Sequence, residues 1–304
     1  MKARSPIFKS AKAEGEFLAA YDAAMSLWPV PFEQRDVPTP YGSTHTILSG
    51  PADAPPLVLL HCALMTSAIW SPIVGDLSRE HRIYAVDVMG DVGRTVPANP
   101  PTTEGEAADW LSAVFGRLGL EQASVVAWSF GGGIATNFAM RYPERVERLS
   151  LLAPFKPFTK QGAGFLFGFL PFLWPSREMA GRFERKMCFR GDFGHPEHSE
   201  LLYQRYRCGR ILLKVVPPRT FTDLEFRLLT MPTLLLVGEQ EYLYDGPASA
   251  ERADRVLPNG RAELLADCNH AIVSDQTERV TAHLLDFLAS APGTTPANEG
   301  SIPE

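Results

Sequence analysis

Apolar positions along the chain keep two rhythms in turn. From Ala11 to Trp28, Phe17, Tyr21, Met25 and Trp28 recur every three or four residues, which predicts an amphipathic helix ended by Pro29 and Pro31. From Phe32 to Ser49 the pattern becomes β-like, with a turn at Pro40-Tyr41-Gly42. Pro51 to Pro56 is a loop, and Leu57 to Leu60 is a short continuous apolar run, the mark of a strand buried on both faces. The rhythm then predicts a helix over Ser67–Arg79, a strand over Ile83–Val88 and a helix over Thr103–Leu120 with Ala107, Trp110, Leu111, Val114, Phe115 and Leu118 on one face. A strand over Ser124–Trp128, a helix over Ile134–Met140 and a strand over Val146–Leu152 follow. Near the end come a strand over Thr233–Val237, a short last strand over Glu263–Leu265 and a helix over Thr277–Leu288. Strands alternating with helices predict an α/β fold with a mostly parallel, doubly wound sheet.

Phe155 to Arg227 breaks this alternation, being rich in aromatics, leucine and arginine. It is expected to be a helical cap inserted into the sheet domain. The division expected is therefore core at 1–154, cap at 155–227, core again at 228–290, and a disordered Pro-, Gly-, Thr- and Asn-rich tail at 291–304. The stretch carries 13 Lys and Arg against 7 Asp and Glu, while the whole chain has 29 against 35 and a net charge of −6. A basic insertion on an acidic body reads as electrostatic docking before it reads as recognition of an anionic substrate.

Composition narrows the function classes. The 304 residues are 45% hydrophobic and 21% charged, enough for a sizeable core. An acidic chain with pI near 5.7 does not suggest nucleic-acid binding. Cys62, Cys188, Cys208 and Cys268 show no C-x-x-C spacing, so neither a disulfide framework nor a zinc ribbon is expected. Met1 to Glu14 has no apolar signal core, and the apolar stretch Phe165–Trp174 is short and broken by Pro171. The expectation is a cytoplasmic protein without a membrane span, a monomer or homodimer, needing neither metal nor organic cofactor.

The chemistry centres on Val125-Val126-Ala127-Trp128-Ser129-Phe130-Gly131-Gly132-Gly133. A buried strand runs straight into a serine and then a helix. Such a sharp turn presents the serine at the sheet edge and demands small residues two positions away, here Ala127 and Gly131. It also leaves the Phe130 N–H at a helix N-terminus, able to donate to a developing oxyanion. After the strand ending at Val237, Glu239, Glu241 and Asp245 compete as the acid, and Glu241 lies three positions after Gly238. His270 lies on the loop after the last strand, and the order is Ser129, Glu241, His270. Asp87, Asp91 and Arg94, in and just before the loop Met89–Pro100, read as turn chemistry.

These residues resemble the α/β-hydrolase superfamily, and within it the bacterial carboxylesterases related to the Bacillus naproxen esterase. The likeness rests on LWPVPFE, YGSTHTILSG, LLHCALMTSAIW, YAVDVMGDVGR, AWSFGGGIA, GEQEYLYD and NHAIVSDQ, which run through most of the chain. It implies an esterase with glutamate as the triad acid, matching Glu241. It also implies that the loop after Leu60 gives the second oxyanion N–H, at Ala63, with His61 structural. Two departures stand out: Ala127 replaces the first elbow glycine, and Cys62 replaces a glycine whose position could need positive φ, at a cost of about 1 kcal/mol.

The expected reaction is acyl transfer from a small-molecule ester to water. His270 deprotonates Ser129, Glu241 orients the imidazole, and Ala63 and Phe130 hold the oxyanion. The expected pocket comprises Leu64, Trp128, Phe165, Phe169 and Phe172, with Phe167 and Trp174 in the same aromatic run; at least two of its rings should roof the serine and favour short-to-medium or aryl-bearing esters. Rivals are another serine acyl chemistry (thioesterase, lactonase, C–C hydrolase or acyltransferase) and a non-catalytic ligand-binding protein on the same fold.

Overall fold

The computed structural model describes residues 7–160, 162, 170–210 and 219–290. Nine strands form one sheet: β1 (Phe32–Thr39), β2 (Gly42–Ser49), β3 (Pro56–Leu60), β4 (Arg82–Val86), β5 (Val96–Pro97), β6 (Ala123–Trp128), β7 (Val146–Leu152), β8 (Thr233–Gly238) and β9 (Gly260–Leu265). Their order is β1-β2-β4-β3-β6-β7-β8-β9, with β5 paired to β2. The six strands from β4 to β9 along that order are parallel, while β1, β2 and β5 form an antiparallel edge. This is the mostly parallel sheet that the alternation predicted.

Both faces of the sheet are covered, and successive strand residues point into different cores. Leu59, Val126, Trp128, Leu152 and Leu236 enter one core, and Val58, Leu60, Val125, Ala127, Leu151 and Leu235 the other. The first core is closed by α1 (Ala11–Met25), α2 (Ser71–Leu77) and the C-terminal helix Thr277–Ala289, through Phe17, Tyr21, Ile73, Leu77, Leu284 and Phe287. The second is closed by α3 (Glu104–Leu118) and α4 (Phe130–Arg141), through Trp110, Phe115, Ile134 and Phe138, with Ala253 and Val256 of the helix Gly246–Val256. α3 begins with a capping box between Thr103 and Glu106, worth about 1 kcal/mol, and ends at Gly119 with φ 75°.

The helix expected over Ser67–Arg79 is two pieces, a 3-10 turn Ser67–Trp70 and α2, because Pro72 sits in the first turn of a new helix. α4 begins at Phe130, four residues before the apolar pattern, so it contains all three glycines of the elbow. The short helix Ile272–Asp275 was not expected.

Within 155–227, α5 (Arg177–Met187) and α6 (Pro196–Cys208) are the two longer helices described. α6 packs on α1, and a bridge between Phe8 and Gly209 ties its end to the N-terminal segment. The basic residues of this stretch reach acids of the body: Arg205 pairs with Asp91 (2.9 Å), Arg207 with Glu16 (3.0 Å) and Arg219 with Glu104 (2.8 Å). At its two ends Phe158 stacks on Phe226 (4.7 Å) inside the second core. Phe165, Phe167, Phe169 and the tail 291–304 lie outside the described residues.

Candidate active site

Sheet register brings the chemistry to one edge. The strand order reverses between β3 and β6, where Leu60 lies opposite Ala127, so the loops after these two strands face each other across the crevice. Through β7 and β8 the same edge continues to Gly238 and Leu265, after which come Glu241 and His270.

Ser129 has φ 52° and ψ −113°, the strained turn its neighbours predicted. Its N–H donates to Leu152 O (2.9 Å) and its carbonyl accepts from Phe155 N (2.9 Å). A Cβ on Gly131 would lie 2.5 Å from Leu60 O and 2.7 Å from His61 O, so only glycine lets the helix approach β3 this closely.

Ser129 Oγ is 2.7 Å from His270 Nε2, and His270 Nδ1 is 3.0 and 2.8 Å from the two Glu241 oxygens. A carboxylate only accepts, so Nδ1 carries the hydrogen and Nε2 is left to accept from the serine hydroxyl. The Glu241 side chain is wholly buried and also accepts from Leu243 N (2.8 Å). Asp245, the competing acid, instead caps the helix Gly246–Val256 by accepting from Ala248 N (2.9 Å), and Glu239 is exposed.

His270 is held by groups that sequence reasoning did not single out. Asn269 Oδ1 accepts from both Tyr242 N (2.9 Å) and His270 N (2.8 Å), while its Nδ2 donates to Lys186 O of α5 (3.0 Å). Asp275, fully buried, accepts from Asn269 N (3.0 Å) and from Phe189 N and Arg190 N beyond α5 (2.9 and 3.2 Å). Burial raises its carboxyl above the usual range, against the pull of those N–H groups. Tyr244 stands edge-on to the His270 ring (6.4 Å); burial, then the Glu241 carboxylate, holds its phenol well above the ordinary value. Long-range contacts of this kind have no periodic signature in a sequence.

Trp128, expected in the pocket, is 1% exposed, packs against Trp70 and donates from its indole to His270 O (3.0 Å). Strand alternation explains this, since Ser129 leaves the strand at the turn while Trp128 still points into the first core. Phe172 is half-buried, edge-on to Tyr206 (4.8 Å) and under the Arg205 guanidinium (5.0 Å). Leu64 is half-buried on the loop after β3.

That loop also revises the reading of Cys62. Positive φ falls on Leu64 (69°), not on Cys62, so the cysteine carries no backbone penalty. Val88 N donates to His61 Nε2 (2.8 Å), which leaves Nδ1–H of His61 to donate to Cys62 O (2.8 Å). The Cys62 carbonyl shares a trans peptide with the Ala63 N–H, so this bond fixes the direction in which that N–H points. All four cysteines are free and buried, and burial pushes the Cys62 thiol up. Asp87 and Asp91 do more than shape a turn: Asp87 accepts from Ser67 N (2.9 Å) and Arg94 N (3.0 Å), and Asp91 from Leu64 N (2.7 Å). No group of three or more His, Cys, Asp or Glu among the described residues could hold a metal, and no helix among them is long and apolar enough to cross a membrane.

This fold and edge define an α/β hydrolase. The model of the α/β-hydrolase fold family matches residues 55–189. A carboxylesterase of Bacillus subtilis (strain 168), YbfK, is 34% identical over 92% of this chain and 96% of its own length. The YbfK crystal structure superposes with a TM-score of 0.88 at 32% identity, covering 92% of this chain and 100% of that one. Naproxen esterase of Bacillus subtilis gives a TM-score of 0.87 at 32% identity, covering 92% and 99%. The chain belongs to the α/β-hydrolase family and, within it, to the carboxylesterases.

Proposed function

We propose that the protein is a serine carboxylesterase that works through an acyl-enzyme. Ser129 is the nucleophile, His270 the general base and then general acid, and Glu241 the group that orients the imidazole and stabilises its cation. The observation that carries this reading is the unbroken line from Glu241 to His270 Nδ1 and from Nε2 to Ser129 Oγ at 2.7 Å. The Phe130 N–H, at the first position of α4, has no intrahelical acceptor and serves as one oxyanion donor. Ala63, whose peptide His61 orients, supplies the other. Attack on the ester carbonyl expels the alcohol, protonated by His270, and water then cleaves the acyl-serine by the same route.

Residues 155–227 act as the cap over this site, and Leu64 and Phe172, with Phe165 and Phe169, are proposed to shape the acyl or alcohol pocket. Short-to-medium or aryl-bearing esters fit such a roof. Similarity to a protein named for naproxen supports the aryl preference. The test is a p-nitrophenyl ester series from acetate to decanoate, with Ser129→Ala and His270→Ala alongside. Turnover should rise by up to ~0.8 kcal/mol of binding per added methylene until the pocket fills, and each variant should lose about three orders of magnitude. A folded Ser129→Ala protein with near wild-type turnover would sink the mechanism, and a flat chain-length series would sink the pocket.

A further inference from the structure

We infer that Asp91 and Arg205 are positioning residues, a buried pair through which the cap helix α6 holds the loop after β3 in the conformation that presents the Ala63 N–H to the reaction. The inference rests on the function proposed above. Leu64 adopts φ 69°, a left-handed conformation that leucine disfavours, and its N–H donates to Asp91 Oδ2 (2.7 Å). That bond pins the peptide that follows Ala63, as His61 pins the one before it. Both peptides flanking Ala63 are therefore held, one by a neighbour in sequence and one by a carboxylate from the loop after β4.

Asp91 is itself held from the cap. Its Oδ1 accepts from Val92 N (2.7 Å) and from Arg205 Nε (2.9 Å), and the side chains of the pair are 5% and 9% exposed. Such a pair is costly to break one-sidedly, because the remaining charge stays buried. The guanidinium lies over Phe172 (5.0 Å), and a Cβ on Gly209 would come 2.5 Å from its Nη1, so the chain leaves space for it there. The end of α6 is anchored in turn by Lys9 Nζ, which donates to Tyr206 O (3.1 Å) and Arg207 O (2.9 Å). The path from cap to oxyanion is thus continuous: the end of α6, Arg205, Asp91, Leu64, Ala63. Asp91 and Arg205 touch no reacting atom, so they act through the loop. Displacing the cap or neutralising the pair should let the 63–64 peptides turn, which weakens a contact made only in the transition state.

The experiment compares Asp91→Ala, Asp91→Asn, Arg205→Met and the double variant Asp91→Ala/Arg205→Met with wild type on p-nitrophenyl acetate. Asp91→Asn keeps the shape if Asp91→Ala does not fold. kcat should fall about 10- to 100-fold, less than deleting an oxyanion donor outright, with KM changed less than about threefold. The double variant should be little worse than either single, since both break one device. Affinity for an aryl trifluoromethyl ketone, whose adduct places an oxyanion in the hole, should fall in step with kcat/KM. Arg207→Gln breaks the half-exposed pair with Glu16 on the same helix without touching Asp91 and should keep kcat. Folded variants with wild-type kcat and ketone affinity, or an equal loss in Arg207→Gln, would overturn the inference. A wild type with no ester turnover would overturn the underlying function instead, which separates the two failures.

Discussion

At Ser129 and at Leu64 the chain bends through a positive φ, 52° and 69°, yet the two bends are maintained differently. The elbow is built from small neighbours and from the backbone at the end of the adjacent strand. Ala127 and Gly131 keep its flanks small, and the backbone of β7 and the residue Phe155 take its N–H and carbonyl. The loop at Leu64 has local support on one side only, where His61 Nδ1–H donates to Cys62 O (2.8 Å). The Leu64 N–H is held by Asp91, 27 positions away, and Asp91 is held by Arg205, 114 positions further on. Such strained residues cost roughly 1–3 kcal/mol each, so each needs something to hold it. The share of Ser129 is supplied by the sheet, while that of Leu64 comes partly from α6 through Arg205 and Asp91. On the mechanism proposed above, a rigid nucleophile then stands beside an oxyanion donor that depends on α6, and transition-state stabilisation is the adjustable part of the site.

Glu241→Gln sets the scale, because it disables the chemistry and leaves both bends in place. It should lower kcat by about three to four orders of magnitude. Asp245→Asn, by contrast, should alter kcat less than about twofold, since Asn caps a helix nearly as well as Asp. The reverse ranking, read from steady-state kinetics, would move the acid to residue 245. Gly131→Ala attacks the elbow alone. Its new methyl would meet two carbonyls at 2.5 and 2.7 Å, so β3 or α4 must shift. A loss of about two orders of magnitude in kcat is expected, together with a lower Tm, and an unaffected variant would show that the elbow yields more easily than its packing implies.

Acid should weaken the packing of α6. His198 of α6 is fully buried against Ser71 Oγ and Ala68 O (both 3.3 Å), and burial, followed by the neighbouring His195, holds its pKa at about 4. The folded protein keeps it neutral whereas the unfolded chain protonates it near pH 6.5. Its contribution is therefore fully present above about pH 6.5 and is lost as the pH falls towards 4, a change of roughly 3 kcal/mol. Glu184 and Asp275, both raised by burial, act in the opposite sense and offset part of that loss. Urea unfolding between pH 7 and 4 should show less acid destabilisation in His198→Asn than in wild type, and equal slopes would refute the assignment. The smallest effect belongs to Cys62→Gly. Because Cys62 does not carry positive φ, kcat should stay within about twofold of wild type, and a large gain would restore the strained-cysteine reading.

What could be read in the sequence follows the same division. The elbow, the order Ser129, Glu241, His270 and the parallel sheet are written in short stretches with fixed spacing, and the structure brings those three side chains into hydrogen-bonding distance. The packing of Trp128 is less legible: as the last residue of β6 it points into the first core, and its indole reaches His270 O, 142 positions away. Asp91 looked like turn chemistry because nothing local distinguishes an aspartate that bends a loop from one that pairs with a helix from another part of the chain. Asn269 and Asp275 escaped notice for the same reason: their partners, from Lys186 to Arg190, belong to the stretch where periodicity fails. The basic charge of that stretch was legible, and its arginines do meet acids of the body at Asp91, Glu16 and Glu104.

The most direct test of the account is to trap the acyl-enzyme. Wild type mixed with p-nitrophenyl acetate and quenched in acid during turnover should gain the mass of one acetyl group, and peptide mapping should place it on Ser129. Ser129→Ala, treated identically, should gain none. Acetylation mapped to another residue, or full turnover in the folded Ser129→Ala protein, would contradict the mechanism.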